Sequence, residues 1–452
     1  MKQLTKILCV ALILILASAS ALAEVKLEKV FQYMPSIKPV QGTNCMIIES
    51  KKDNSLGLYT TAGQEIIPFG YASIDYLTNG FFSAYNDKDA VDDKALWTID
   101  GRKIGAQEYG GFKVFNKHWV AAFVVDPQEQ SDKSFQDIKI GKGSYQYSRI
   151  DLFYVTDEAD SAEPVASLDR DAYADASIHG DCIAITNREK AVSVFDSSFQ
   201  PVSVELSAAN KPLFSISNFQ LVSLLTGGVM GDGYTDVAEV NLSDRMLVKV
   251  TRVAMDGTKL AGLMNPDGSV LLPADYEIID LTDHYAVVAD QEKNQGLFSL
   301  DEGRMIVPCA YSAIVPCATD LDKYVHNGYV CVEKDEKLGF YDVANAVQSC
   351  ETKYAKRAVT NIGCSLFFFT VEGELVLVAG DGAVNTVNAD SILATRGNGF
   401  LLEAKKGASF GLIDWHGNIV VPLNHYKDIV VTDDTQAIIR TSTGLQLDAV
   451  TR

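Results

Sequence analysis

The sequence has little of what marks the common enzyme chemistries. No H-E-x-x-H zinc motif, no G-x-x-x-x-G-K-[ST] phosphate loop and no C-x-x-C pair occurs in its 452 residues. Helical periodicity is also nearly absent, because no long stretch carries apolar residues at i, i+3, i+4 and i+7 between capping residues. Linkers rich in glycine, serine or proline are missing as well. These absences disfavour a helical fold and a chain of tethered domains.

Cysteine is scarce for a chain of this length, with eight residues in all. One of them, Cys9, lies in the apolar N-terminal run. The other seven exclude a disulfide-dense scaffold, and their odd number predicts that at least one is unpaired within the chain. A bridge between Cys309 and Cys317 is conceivable across neighbouring strands, but burial as free thiols is the favoured interpretation.

Long apolar runs are confined to the N-terminus. Lys2 and Lys6 precede an apolar stretch from Ile7 to Leu16, and small residues follow up to Ala23. This order is typical of a signal peptide over residues 1–23, and the stretch is shorter than the roughly 20 apolar residues of a membrane span. We expect a secreted protein, outside the cell, on its surface or in the periplasm, with no integral membrane segment after cleavage.

Basic residues are outnumbered by acidic ones. The whole chain has a formal net charge of −20, and removal of two lysines with the signal peptide leaves 37 basic and 59 acidic residues. Nucleic acids and anionic membranes require a basic surface, so neither is expected as a partner.

One phrase recurs along the chain. Counted from its first Gly, a second Gly falls at +6 or +7, a Pro at +11 or +12, a Tyr at +14 or +15 and an Ile at +17 or +18. The clear copies are Gly57, Gly63, Pro68, Tyr71, Ile74; Gly262, Gly268, Pro273, Tyr276, Ile279; Gly296, Gly303, Pro308, Tyr311, Ile314; and Gly411, Gly417, Pro422, Tyr426, Ile429. Such regularity is typical of a repeat protein.

Each unit is predicted to consist of three or four short antiparallel strands. In the copy at Gly262, residues 262–265 form a strand, Gly268 provides the positive φ of a turn, and residues 269–272 return. Pro273 is expected to end that strand, because proline cannot donate to a ladder. The Tyr and Ile of the phrase are expected to pack between units, since so small a sheet cannot bury its own face. The alternative is that the tyrosines line a binding groove.

Asp-Gly pairs strengthen the hairpin interpretation, and they occur at 100–101, 256–257, 267–268 and 381–382. Degenerate copies begin near 95, 339 and 375, and eight to ten units are expected. We therefore predict one continuous β-repeat array over residues 24–452. Its clear repeats lie near 57–94, 262–295, 296–338 and 411–445.

The fold class predicted is all-β, built of short antiparallel units. A β-propeller-like arrangement is favoured, and an open β-solenoid is the alternative. The four clear copies resemble the WG-repeat family, although the Trp that precedes the first Gly in that family is replaced here by Leu56, Ala261, Gln295 and Phe410. The resemblance implies a bacterial, often exported repeat scaffold and transfers no catalytic residue.

Candidate site residues are weakly indicated. The six histidines are scattered and are expected to be incidental surface or turn residues. Two acidic clusters, one at Asp87, Asp89, Asp92 and Asp93 and one from Asp232 to Asp236, contain oxygen ligands that suit Ca²⁺, but solvated loops are favoured. Trp97, Trp119 and Trp415 have rings that suit sugar stacking, but a core role is favoured.

The function expected is that of a secreted, non-enzymatic scaffold that binds a protein or a glycan at the cell envelope. No catalytic, cofactor-binding or metal-binding residue is assigned, and no cofactor is expected. The alternative is a secreted carbohydrate-active hydrolase on a β-propeller, whose paired carboxylates the sequence cannot identify among 59 acidic residues.

Overall fold

The structure is a computed structural model, and it describes fourteen ranges of the chain. The described residues are 37–40, 43–50, 52–60, 63–87, 90, 92–130, 137–140, 143–156, 163–317, 323–363, 365–396, 401–431, 436–440 and 445–449. The predicted signal peptide, residues 1–23, lies outside them. Within this part of the chain the regular structure consists of forty-two β-strands and one 3-10 turn, Arg170–Ala172.

The strands pair into small antiparallel sheets that follow one another in chain order, and we letter these sheets A to K. The first five, from A to E, contain β1 (Ile37–Val40), β2 (Cys45–Glu49), β3 (Leu56–Thr60), β4 (Glu65–Tyr71); β5 (Ser73–Thr78), β6 (Phe81–Tyr85), β7 (Lys94–Thr98), β8 (Lys103–Tyr109); β9 (Gly111–Val114), β10 (Trp119–Gln130), β11 (Asp137–Ile140), β12 (Gly143–Tyr154), β13 (Ala166–Asp169); β14 (Asp175–His179), β15 (Cys182–Thr186), β16 (Val192–Phe195), β17 (Pro201–Val202); and β18 (Phe214–Ser217), β19 (Gln220–Ser223), β20 (Val229–Asp232).

Sheets F and G share a long strand, β24, and so form one seven-stranded sheet. Sheets F to K contain β21 (Asp236–Asn241), β22 (Met246–Val253), β23 (Lys259–Met264), β24 (Val270–Leu281); β25 (Tyr285–Ala289), β26 (Gln295–Ser299), β27 (Arg304–Tyr311); β28 (Ala313–Val315), β29 (Tyr329–Lys334), β30 (Lys337–Asp342), β31 (Val347–Ala355); β32 (Thr360–Ile362), β33 (Leu366–Val371), β34 (Glu374–Ala379), β35 (Val384–Val387); β36 (Ser391–Arg396), β37 (Leu401–Lys406), β38 (Ser409–Ile413), β39 (Ile419–Asn424); and β40 (Asp428–Val431), β41 (Gln436–Arg440), β42 (Leu445–Ala449).

This strand pairing confirms the prediction of an all-β, β-propeller-like repeat fold. With F and G counted separately, the described residues form eleven small sheets, one more than the upper end of the expected eight to ten. The chain groups into two compact units. The first contains residues 1–74, 370–376 and 385–452, as far as these are described, and the second contains 75–369 and 377–384. The single array over residues 24–452 stays a prediction.

The recurring phrase has the same place in each sheet. Its first Gly lies in the third strand, its second Gly in the turn that follows, and its Pro and Tyr in or just after the fourth strand. The turn glycines have the predicted positive φ, for example +94° at Gly268 and +82° at Gly417. The turn assignment is therefore confirmed.

The expectation that Pro273 ends a strand is wrong. Pro273 lies inside β24 (Val270–Leu281), and its side chain is exposed. β24 pairs with β25 only from Glu277 onward, so the edge beside Pro273 has no described partner strand that needs its missing N–H. Opposite Pro273 the register of β23 and β24 shifts between Ala261 and Leu263, which marks a bulge.

The bulge explains the first Gly of the phrase. A Cβ atom placed on Gly262 would lie 2.5 Å from the carbonyl oxygen of Leu272 and 2.6 Å from the backbone nitrogen of Ala274. The equivalent atom on Gly296 would lie 2.5 Å from the carbonyl oxygen of Val307. The fourth strand thus bends onto the third at a point where no side chain fits.

The predicted packing of the Tyr and Ile of the phrase between neighbouring sheets is confirmed for most of these residues. Tyr311 and Ile314 are buried, at 6% and 4% exposure, in one cluster that joins residues of sheets G and H, including Val307 and Val332. Ile279 is the exception, since it is 46% exposed. It is the extra residue of a bulge between β24 and β25, and its neighbour Ile278 packs inward instead.

The cysteines in the described residues form no disulfide bond. They are Cys45, Cys182, Cys309, Cys317, Cys331 and Cys350, and Cys364 lies outside the described residues. No bridge joins Cys309 to Cys317, because the first packs in the cluster between sheets F and G and the second against sheet H. Burial raises the pKa of the Cys331 thiol, which favours the protonated form.

Candidate functional site

A buried carboxylate, Asp151 in β12, joins sheets B and C. Its side chain is 3% exposed. Arg149 donates to both oxygens at 2.9 and 3.1 Å, and Ser167 donates at 2.7 Å. From sheet B, Tyr109 and Gln107 each donate to Oδ2 at 3.2 Å.

This arrangement does not suit general acid or base catalysis. Five donated hydrogen bonds occupy the acceptor directions of the Asp151 carboxylate, so a substrate proton has no vacant position to approach. Burial and the Asp151 charge raise the pKa of Tyr109, which keeps its hydroxyl protonated as a donor. Asp151 therefore holds two sheets together.

A second buried cluster surrounds His179 in β14. His179 and Glu239 of β21 form an ion pair in which the side chains are 3% and 6% exposed. The other ring nitrogen, Nε2, lies 2.7 Å from the carbonyl oxygen of Ala209. The backbone N–H of Leu213 donates to the second oxygen of Glu239 at 2.6 Å. The expectation that the histidines are incidental surface or turn residues is wrong for His179.

His179 has two acceptors and requires two protons to satisfy both. Burial lowers the pKa of His179, but the hydrogen bond and charge of Glu239, together with the Ala209 carbonyl, outweigh it and raise the pKa above 6.5. A doubly protonated imidazole cannot act as a base. The pair connects sheet D, sheet F and the 203–213 segment, so its role is structural.

The remaining histidines do not form a metal site. His326 is buried, at 5% exposure, and its Nδ1 lies 3.0 Å from the Ser365 hydroxyl. His416 and His425 are exposed, as expected. In the part of the chain that the structure describes, no group of three or more His, Cys, Asp or Glu side chains is placed to hold a metal ion.

Among the described residues of the predicted acidic clusters, no three carboxylates are placed to hold a metal ion. Asp93 accepts hydrogen bonds from the backbone N–H groups of Asn86 and Asp87 at 2.7 and 2.5 Å, which closes its own loop. Asp89 lies outside the described residues. In the second cluster, Asp236 caps its own strand by accepting from the Val237 N–H at 2.9 Å.

The tryptophans provide little surface for stacking. Trp119 is fully buried, its Nε1 donates to the Asp181 carbonyl oxygen at 3.1 Å, and its ring packs edge-on against Tyr154. The core role is confirmed for Trp119. Trp97 and Trp415 are half-buried.

One further motif matches the sequence pattern of a hydrolase nucleophile but lacks the strand–turn–helix structure in which such a nucleophile lies. Residues 407–411 read G-x-S-x-G, with Ser409 at the centre. A nucleophile of that type sits between a strand and a helix, whereas Ser409 begins β38 after a turn that joins it to β37. The motif therefore arises by chance from the repeat, whose first Gly is Gly411.

A repeated surface lies where the last strand of each sheet begins. In four sheets the first residue of that strand is an exposed valine, with exposures from 52% to 59%: Val229, Val270, Val347 and Val384. An aspartate comes shortly before three of these strands: Asp267 and Asp381 lie in the turns, and Asp342 ends β30. We call these valines and aspartates the turn edge. All of them belong to the second compact unit.

Turns contact the preceding sheet at three junctions, from sheet E to F, from F to G and from H to I. A Cβ atom placed on Gly268 in the turn of sheet F would lie 3.5 Å from the Cβ atom of Met230 in sheet E. One placed on Gly303 in sheet G would lie 3.6 Å from Leu271 in sheet F. Farther along, Gly382 in sheet I meets the backbone of sheet H at Ser349. At these three junctions the turn rests on the last strand of the sheet before it.

Asp267 and Asp342 stabilise the turns beside them through hydrogen bonds that lower the pKa of each carboxyl. Asp267 accepts from both the backbone and the hydroxyl of Ser269, at 2.9 and 2.7 Å, and these bonds lower the pKa of Asp267. Asp342 accepts from the Asn345 N–H at 3.1 Å, and its pKa is also lowered by Asn345. The turn edge therefore combines negative charge with exposed apolar side chains.

Sequence reasoning missed the turn edge, although the signal is visible in the repeat. Position +8 from the first Gly is β-branched in three copies, at Val270, Val347 and Ile419. It is charged in two others, at Glu65 and Arg304.

Comparisons with known proteins yield only distant likenesses. No family model and no curated protein matches the chain. Among solved structures, a eukaryotic initiation factor shares 10% identity and a TM-score of 0.34 over 85% of this chain and 97% of its own. BamB from Moraxella catarrhalis shares 10% identity and a TM-score of 0.20 over 92% and 94%. KlHsv2 with a replaced loop shares 10% identity and a TM-score of 0.19 over 59% and 94%. The fold assignment rests on strand pairing and owes nothing to these likenesses.

Proposed function

We propose that the chain is a secreted, non-enzymatic repeat scaffold that binds a protein partner at the cell envelope. The observation that supports this proposal is the turn edge, an exposed feature repeated on four sheets of the second unit. The buried ionisable clusters at Asp151 and His179 support it indirectly, because their polar atoms are already engaged within the fold.

A protein partner is favoured over a glycan. Sugar-binding sites present aromatic faces to the ring, whereas the exposed apolar residues of the turn edge are valines and one of the three tryptophans, Trp119, is fully buried. Secretion is supported by the N-terminal sequence. In addition, no helix among the described residues is both long and apolar enough to cross a membrane.

The proposal is tested with residues 24–452 on an array of envelope proteins and glycans. Selective, saturable binding to a protein is expected. A second test expresses the chain with and without residues 1–23 and follows it by cell fractionation. Export only of the full-length form is expected. Saturable binding to glycans alone, or release of reducing sugar from them, would contradict the proposal.

A further inference from the structure

We propose that the turn edge binds a cationic, amphipathic polypeptide segment, in which basic side chains meet the turn aspartates and apolar side chains cover the valines. This inference deepens the proposed function and rests on it. It names the chemistry of the partner and the residues that recognise it.

The apolar residues of the turn edge are exposed repeatedly at one structural position. A single exposed valine on a protein surface is ordinary. Four valines at the same structural position, each more than half exposed, are a repeated feature of the second unit. The turn contact between sheets E and F lies beside Val229 and Val270, and the contact between sheets H and I lies beside Val347 and Val384, so the valines lie in two pairs of touching sheets. Water is displaced from such an edge only by a partner that also has apolar groups.

The charge of the edge determines the class of partner. Asp267 and Asp381 are exposed and each precedes an edge valine by three residues. The protein as a whole carries a formal charge of −20, so a basic segment is drawn toward it and an acidic segment is repelled. Charge complementarity therefore favours a lysine- or arginine-containing segment with alternating apolar residues.

Sheet G interrupts the edge and provides an internal contrast. There Arg304 occupies the valine position, and it forms a salt bridge of 2.6 Å with Glu302 in the preceding turn. The charge of Glu302 in this turn is paired within the protein. Sheet G also has the cationic side chain of Arg304 where sheets E, F, H and I have a valine. We expect sheet G to contribute least to binding.

The test uses purified residues 24–452 and a fluorescent peptide of alternating lysine and valine, followed by anisotropy at low and high salt. Peptides of alternating glutamate and valine and of alternating lysine and serine are the controls for charge and for apolar contact. Saturable binding of the lysine–valine peptide alone, weakened by salt, is expected.

Two matched variants locate the site. The edge variant Val270→Thr/Asp267→Asn removes one apolar group and one charge, and the asparagine retains an oxygen that accepts from Ser269. The control Val253→Thr/Asp256→Asn makes the same changes at the opposite end of β23, where Val253 is 47% exposed. The dissociation constant of the edge variant is expected to rise about fivefold and that of the control to stay unchanged. Arg304→Val is expected to strengthen binding about threefold.

Several results would overturn the inference. Equal affinities of the edge and control variants, both with wild-type melting curves, would place the peptide elsewhere. Light scattering that shows a dimer lost in the edge variant would make a second copy of the chain the occupant. If the array identifies a protein partner whose binding is indifferent to these variants, the inference fails and the proposed function stands. If no protein binds at all, both fail.

Discussion

The contacts that hold neighbouring sheets together differ between sheets B to D and sheets F to H. Sheets F and G contain clear copies of the phrase, and neighbouring sheets from F to H meet through apolar clusters around Tyr311 and Leu263. Sheets B to D lack clear copies, and buried polar groups contribute to their packing. Asp151 joins sheet C to sheet B, and His179 joins sheet D to Glu239 of sheet F.

The exposure of the ion pairs shows the contrast. In sheets F and G, Lys293–Glu277 and Arg304–Glu302 have every side chain between 42% and 69% exposed. Such pairs contribute little, because water competes for both charges. At His179–Glu239 both side chains are below 7% exposed. The two regions thus depend on different residues: glycines that permit close backbone contact in one, and buried charges in the other.

The largest effect is expected from Gly262→Ala in sheet F. A Cβ atom there would overlap the backbone of β24, and a backbone cannot move aside without breaking the bulge. We expect a loss of about 4 kcal/mol in the free energy of unfolding, measured by urea titration.

The control for that variant is Gly257→Ala in the same sheet. Gly257 has a φ of +86° but nothing within 4 Å of an added Cβ, so only backbone strain of about 1 kcal/mol is expected. If the two variants are equally stable, close contact with the bulge is not what requires glycine at the first position of the phrase.

Asp151→Ala is expected to cause the next largest loss, about 3 kcal/mol. The change leaves the buried Tyr109 hydroxyl and the Arg149 guanidinium without their acceptor, although Arg149 is 41% exposed and water compensates in part. The control is Glu277→Ala, which breaks the exposed pair with Lys293 and is expected to cost about 0.5 kcal/mol. Equal losses for Asp151→Ala and Glu277→Ala would mean that the buried contacts of Asp151 stabilise the fold no more than the exposed Lys293–Glu277 pair does.

Much of the fold could be predicted from local sequence. The strands and the turn at Gly268 follow from alternating apolar residues and from the positive φ that glycine tolerates, and both are properties of a few consecutive residues. The place of Pro273 could not be predicted, because it depends on which edge of β24 has a partner strand.

The contacts within the clusters at His179 and Asp151 also could not be predicted, because they too depend on which strands lie next to each other in the fold. His179 and Glu239 are 60 residues apart in the chain, and Gln107 and Asp151 are 44 apart. Neither spacing carries a local signal, because sheets that pack together determine both contacts. The turn edge, in contrast, was accessible at position +8 of the repeat, but its exposure depends on the bulge that turns β24.

Gly268→Val tests the turn on which the regular region depends. A β-branched residue at a φ of +94° is strained, and we expect a loss of about 2 kcal/mol. Gly268→Asn is the matched control, because asparagine tolerates positive φ and is expected to lose less than half as much. Thermal melting of both variants measures the difference, and identical curves for Val and wild type would contradict the turn assignment.

The smallest effect expected is a dependence of stability on pH that originates at His179. Its pKa in the folded protein is raised above 6.5, so its contribution is complete below about pH 6.5 and is lost as the pH rises through the folded pKa. Above that pH the neutral ring has one N–H for two buried acceptors, Glu239 and the Ala209 carbonyl. The unfilled acceptor is expected to cost about 1.5 kcal/mol.

Urea titrations of wild type and His179→Asn at a series of pH values isolate this effect, because every other titratable group is common to both proteins. The stability difference between the two is expected to be largest in mild acid and to shrink toward alkaline pH. A difference that grows with pH would mean that the ring is neutral when folded, with a lowered pKa. In that case Glu239 would be held by Leu213 and one imidazole N–H alone, and the region without the phrase would depend on neutral hydrogen bonds and not on a buried charge pair.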